Sequence, residues 1–348
     1  MGKTVAWMLC LLALNLPAVA RAATVRDLYA AQVPIADHSA AALAAASGEA
    51  LAEVLVKVSG SRDLLDRPAI AAALADARDH VQQYAYVRGA HPPGELAVLC
   101  EFDGAYVTQL VTSAGAPLWT ANRPPVLLWL VADDERGRYF VNPDSAPELS
   151  AQLLAEFARR GVPVQLPLYD LTDATALSAD AAWRLPGAVL REASVRYAVD
   201  HIIAGRMVLL SSGSATGDWS YLSDAGRSDR SVSAPDAATF IRDGVSMVAQ
   251  EMAARYAVAP SSEGVAGLSV TVSGVSSYAD YAAIVAWLEG LELIDHANVE
   301  QIHGDTISLR LLAQADAAQL ATIIELNRQL VPVPPATADD KLSYRWQK

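Results

Sequence analysis

The sequence predicts an α/β fold of mixed α+β type, with a central, mostly parallel sheet carrying helices on its faces and smaller βαββα-type modules on either side. Three observations carry this expectation. Residues 126–132 (Val-Leu-Leu-Trp-Leu-Val-Ala) are apolar throughout, as in a strand buried on both faces. From there to Tyr256, strand-like and helix-like patterns alternate, the order in which crossover helices join parallel strands. The order strand, helix, strand, strand, helix also occurs twice, within 24–118 and within 268–331.

In the first module, 28–35 reads as a strand. Ser39 then caps an alanine-rich helix that runs to about Val58 and is stopped by Ser59-Gly60. Pro68 suits the first turn of a helix over 68–80. Residues 81–88 and 96–102 alternate as paired strands across the turn at His91-Pro-Pro-Gly94, and 105–113 forms a closing helix. The central module, 119–258, starts with the strand at 126–132, which Asp133-Asp-Glu-Arg-Gly137 ends. A helix over 147–160 follows, with Leu149, Leu153, Leu154 and Phe157 on one stripe and Gly161 at its end. Then come a strand over 162–168, a helix over 179–197 and a strand over 200–210. Edge strands near 218–222 and Ser231 precede a long helix over 235–256.

Residues 259–267, small and flexible, read as a linker. The last module predicts a strand at 268–272, a helix at 278–291, strands at 297–302 and 306–312, and a helix at 315–330. The triplet Val-Ser-Gly occurs at 58–60 and again at 272–274, a short echo between the first and last modules. Residues 332–348, proline-rich and then charged, read as a flexible tail.

The first 22 residues set the expected address. Lys3, an apolar run from Val5 to Leu14, Pro17 and the small-x-small triplet Ala20-Arg21-Ala22 make a secretory signal peptide with cleavage after Ala22. The run is shorter than the roughly twenty residues of a membrane span, so a cleavable leader outranks an uncleaved anchor, and no integral span is expected after cleavage. Cys10 lacks the small residues of a lipidation site and leaves with the leader. Cys100 then stands alone, which excludes an intrachain disulfide and reads as a buried small hydrophobe. Loss of Lys3 and Arg21 takes the formal charge from −13 to −15. An acidic chain without a basic run argues against nucleic acid and anionic membrane surfaces as partners.

The motifs of common chemistries do not occur: no Gly-x-Ser-x-Gly elbow, phosphate loop, dinucleotide fingerprint, His-Glu-x-x-His or paired Cys-x-x-Cys. No catalytic residue and no cofactor is therefore expected. The metal candidates are Asp170, Asp173 and Asp180, carboxylates grouped after a predicted strand where a hard cation can be held; the same residues also suit a turn and a helix cap. Asp133, Asp134 and Glu135 read as a solvated turn. His296 and His303 flank a strand and stand too far apart to share a metal. His201 opens an apolar strand, where burial with satisfied hydrogen bonds is expected. Arg196-Tyr197-Ala-Val199 recurs as Arg255-Tyr256-Ala-Val258, each at a helix end. Trp119, Trp129, Trp183 and Trp219 surround the central strands, as core packing or as the wall of a groove for a peptide or lipid.

Several short blocks occur in order: Leu28-Tyr-Ala-Ala-Gln-Val-Pro34, Val54-Leu-Val-Lys-Val-Ser-Gly60, Pro117-Leu-Trp119, Arg123-Pro124, Arg160-Gly-Val-Pro163, Pro167-Leu168 with Asp170-Leu171, and Ala193-Ser-Val-Arg-Tyr197 with Gly205-Arg206. Over about Leu28 to Val258 they resemble the exported bacterial family catalogued as domain of unknown function 2066. The resemblance implies export to a Gram-negative-type envelope and a mixed α/β fold, without a catalytic residue to carry over. Asp200-His-Ile-Ile-Ala-Gly-Arg206 is also loosely similar to N-terminal domains of periplasmic translocation and curli-export proteins, which are protein-interaction modules. The expectation is a periplasmic, non-catalytic module that binds an envelope protein partner. The alternatives are a metal-assisted hydrolase built on the scattered carboxylates, or a lipid or small-ligand carrier.

Overall fold

The computed structural model describes residues 23–334 and 342–347, apart from Arg26, 90–93, 260–266 and Arg328. The expected leader, most of the linker and most of the turn at 91–94 therefore lie outside the described residues.

The chain opens with β1 (Ala23–Thr24), β2 (Ala30–Pro34), α1 (Ala40–Ser59), α2 (Pro68–Ala75), β3 (Val81–Arg88), β4 (Leu96–Phe102) and α3 (Gly104–Ser113). Ser39 Oγ accepts from the Ala42 amide at 3.1 Å, and Gly60, in the left-handed region at φ 77°, closes α1. Strands β2-β4-β3 form an antiparallel sheet. The apolar face of α1, with Ala50, Leu51, Val54, Leu55 and Val58, is sealed from solvent in the same core as Val98 and Cys100.

The middle of the chain adds β5 (Asn122–Arg123), β6 (Val126–Asp134), β7 (Gly137–Phe140), α4 (Pro147–Arg159), β8 (Val164–Gln165), α5 (Leu171–Ala176), α6 (Ala179–Ala182), α7 (Gly187–Ser194), β9 (His201–Leu209), β10 (Ala215–Ser223), β11 (Gly226–Ala234) and α8 (Ala237–Tyr256). The sheet order is β11-β10-β9-β6-β7, with β8 beside the first residues of β6. This corrects the expected mostly parallel sheet. Strands β6, β8 and β9 do run parallel, but β8 is two residues long, and antiparallel hairpins supply the rest. The reason lies in the turns: Glu135-Arg-Gly137, Ser211-Ser-Gly213 and Asp224-Ala-Gly226 are too short for crossover helices and fold each strand back on its neighbour. Helices α4 and α8 cover one face of the sheet around Phe157, Trp219 and Phe240. Helices α5 to α7 cover part of the other, around Trp129, Leu177 and Leu190. The helix expected over 179–197 is broken at Leu185-Pro186-Gly187, where Leu185 takes φ 52° and Pro186 becomes the cap of α7.

The last unit contains β12 (Leu268–Ser273), α9 (Tyr278–Glu289), β13 (Ile294–His303), β14 (Thr306–Ala313), α10 (Ala317–Leu326), β15 (Leu330–Pro332) and β16 (Leu342–Trp346). Its sheet order is β13-β14-β12-β16-β15. Residues 332–348 are thus more than the expected tail: β16 sits inside the sheet, parallel to β12, with Leu342 and Tyr344 buried. The charged composition misled because the inward residues alternate with polar ones. Strands β12, β14 and β13 repeat the pairing of β2, β4 and β3, both all-antiparallel. The Val-Ser-Gly echo, however, marks unlike places, the end of helix α1 and the end of strand β12.

One apolar cluster runs through both outer units, from Val54 and Val107 to Val270, Ile284 and Leu320. An antiparallel bridge joins Leu118 to Val258, Glu292 Oε1 accepts from the Ala121 amide at 2.9 Å, and Asn122 Nδ2 donates to the Ile323 carbonyl at 3.1 Å. The fully buried Arg123 guanidinium lies 3.7 Å from the Trp119 ring centroid. It donates to the carbonyls of Lys57 (2.8 Å), Trp119 (2.7 Å), Thr120 (2.8 Å) and Gly161 (2.7 Å), so one side chain ties α1 to the end of α4. Among the described residues, no helix is long and apolar enough to cross a membrane.

Candidate functional site

The three candidate aspartates separate into two places. Asp170 caps α5, its Oδ1 accepting from the Asp173 amide at 3.0 Å. It also takes a two-pronged ion pair from Arg196, at 2.7 Å from Nη1 and 3.0 Å from Nη2, and Nη1 reaches Asp173 Oδ1 at 3.0 Å. Asp180 lies elsewhere, 3.0 Å from Nη1 of Arg138, which also pairs with Asp133. Among the described residues, no group of three or more His, Cys, Asp or Glu side chains is arranged to hold a metal ion. Each of the three carboxylates already has an arginine partner, Arg196 being shared by Asp170 and Asp173 and Arg138 by Asp133 and Asp180.

The Asp170 cluster is built deep on one side and open on the other. Asp173 is buried; its Oδ2 accepts from Tyr197 Oη at 2.5 Å and from the Tyr169 amide at 2.8 Å. Tyr197 Oη in turn accepts from the Leu168 amide at 2.9 Å. Arg196 holds the Asp170 carboxyl down to about 2, while burial and the Asp173 carboxylate push the Tyr197 hydroxyl up to about 12. Tyr169 (φ 53°) and Ala198 (φ 51°) both adopt the left-handed region, each costing about 1–2 kcal/mol that the surrounding bonds offset.

Around this cluster stand three large apolar side chains in solvent: Leu168 (68% exposed), Leu171 (83%) and Val195 (75%). Leu168 and Leu171 flank Asp170, and Val195 precedes Arg196, so the ion pair joins the two segments that carry them. Nothing in the residue pattern signals this arrangement beyond a leucine after a helix cap. Arg196 read only as a helix-end cation, and its partner lies 26 residues earlier.

The other candidates resolve as structure. His201 is buried, with Nε2 2.8 Å from Tyr256 Oη and Nδ1 2.6 Å from Tyr221 Oη, which meets the expectation of satisfied burial. The repeated Arg-Tyr block does the same work twice. Arg196 pairs with Asp170 and Arg255 with Asp224, each guanidinium carbon lies 5.4 Å from the ring of the next tyrosine, and each tyrosine bonds a buried polar group. Asp134 accepts from Arg136 and Tyr139 in the β6–β7 hairpin. Trp119, Trp129 and Trp219 are core residues, whereas Trp183 is half-buried and borders a cleft.

A family model described as Domain of unknown function (DUF8605) matches residues 22–120, the span from β1 to α3 and the strand-like bridge after it. This corrects the resemblance to domain of unknown function 2066. The blocks that carried it are short combinations of Pro, Gly and apolar residues, which turns and strand ends of many α/β proteins require. The blocks from Arg123 onward fall outside the match. No curated protein matches the chain.

Proposed function

We propose that the chain is an exported, non-catalytic envelope protein that docks another protein through the patch formed by Leu168, Leu171 and Val195. The observation that carries this reading is the exposure of three large apolar side chains around a fixed ion pair. Large apolar side chains exposed around a rigid polar centre form the kind of surface that a partner covers. The rigidity matters because side chains already held in place lose little further entropy on binding. Export rests on the pattern of residues 1–22. A photo-reactive amino acid placed at residue 171 in the native host tests the patch: one discrete adduct is expected, abolished by Val195→Asp in a chain that still folds. Adducts that persist in that variant would remove the patch from consideration. Export is checked separately, by recovering a chain that begins at Ala23 from the osmotic-shock fraction; an uncleaved cytoplasmic chain would refute it.

A further inference from the structure

Helices α5 to α7 cover only part of their face of the central sheet. Beneath them, Ala204, Ser220 and Leu222 are buried; in the next two rows along β9, β10 and β11 the same face carries Arg206, Asp218 and Ser231, then Val208, Thr216 and Ser233, which reach solvent. The half-buried Trp183, next after α6, forms the wall of the resulting cleft of about 490 Å³.

The lining is chemically specific. Arg206 Nε and Nη2 both lie 2.8 Å from Asp218 Oδ2, and Ser231 Oγ donates to Asp218 Oδ1 at 2.5 Å. Arg206 Nη1 also donates to the Trp183 carbonyl at 3.4 Å, tying the wall to the floor. Arg138, 4.5 Å from the ring centroid, steadies the indole from β7. The floor therefore offers a guanidinium, a carboxylate and several hydroxyls in fixed positions beside an aromatic ring. Its arginine and aspartate cancel, so the cleft has no surplus charge with which to select an ion. A ligand that matches such a surface is neutral, carries hydroxyls around its rim and presents C–H groups to the indole.

We infer that the Trp183 cleft binds a neutral sugar ring, with Asp218 and Arg206 hydrogen-bonding its hydroxyls and Trp183 packing against its apolar face. The site is independent of the Leu168–Val195 patch. The test uses the full chain with maltotetraose, cellotetraose and chitotetraose, and with a sulfated oligosaccharide as an anionic comparison, read by calorimetry and by indole fluorescence. At least one neutral sugar is expected to bind. Trp183→Ala and Asp218→Asn each weaken it by about tenfold or more, the scale of one lost stacking or hydrogen-bonding partner. Ser231→Arg, an exposed substitution that fills the cleft without touching the core, blocks binding in a normally folded chain. Three outcomes overturn the inference: no binding of any neutral sugar, preference for the sulfated one, or binding that Ser231→Arg leaves intact.

Discussion

His201 carries the clearest consequence at the scale of single residues. Burial, and then the Arg255 charge, pull its imidazole from the usual 6.5 down to about 4. An unfolded chain takes up that proton near pH 6.5 and the folded one only near 4, so the histidine's contribution is fully present above 6.5 and is lost as pH falls through that window. The shift amounts to about 3 kcal/mol. Urea unfolding at a series of pH values should show this decline, and His201→Gln should flatten it; an unchanged slope in the variant would assign the decline to other groups. Single residues were legible where the partner is local. Ser39 and Asp170 were readable as caps because a cap bonds an amide two or three positions on. The Arg196 and Arg255 pairings were not, because each aspartate lies 26 to 31 residues away and only the fold brings it near.

Among elements, the packing of β9 and β10 against α8 depends on two glycines that face Trp219. A Cβ on Gly244 would come within 2.2 Å of the indole, and one on Gly205 within 2.6 Å. Neither contact has room to relax, since Trp219 is fully buried against Phe240. Gly244→Ala should therefore cost about 1–3 kcal/mol by overpacking despite its better helix propensity, as chemical denaturation would register. A stabilised variant would mean that the indole is free to turn. Strands such as β3, β4 and β6 were legible from alternation or unbroken apolar runs. Helices α6 and α7 were not resolved as two, because a proline at a helix start and one inside a helix look alike until the preceding residue's backbone is known, and α5, only six residues long, was read as a turn and cap. The parallel sheet was misjudged for a related reason: periodicity reports which face of a strand is buried and says nothing about its direction.

At the scale of the whole molecule, the last described strand supports far more than its own residues. A chain ending at residue 334 would lose β16, leaving β12 and β15 with unpaired edges and the core without Leu342 and Tyr344. Because the apolar cluster is continuous with the first unit, hydrogen exchange should quicken in α9 and α10 and extend to α1, with a clear fall in Tm. Protection unchanged in α1 would show that the outer units are stable separately. The same arrangement also governs when the molecule can finish folding. Residues near 120 wait for partners at 258, 292 and 323, and β12 waits for a strand that ends at Trp346. The first unit therefore stays incomplete until residue 323 is available to it and the last unit until Trp346 is, so the rate of final closure is set by long-range contacts.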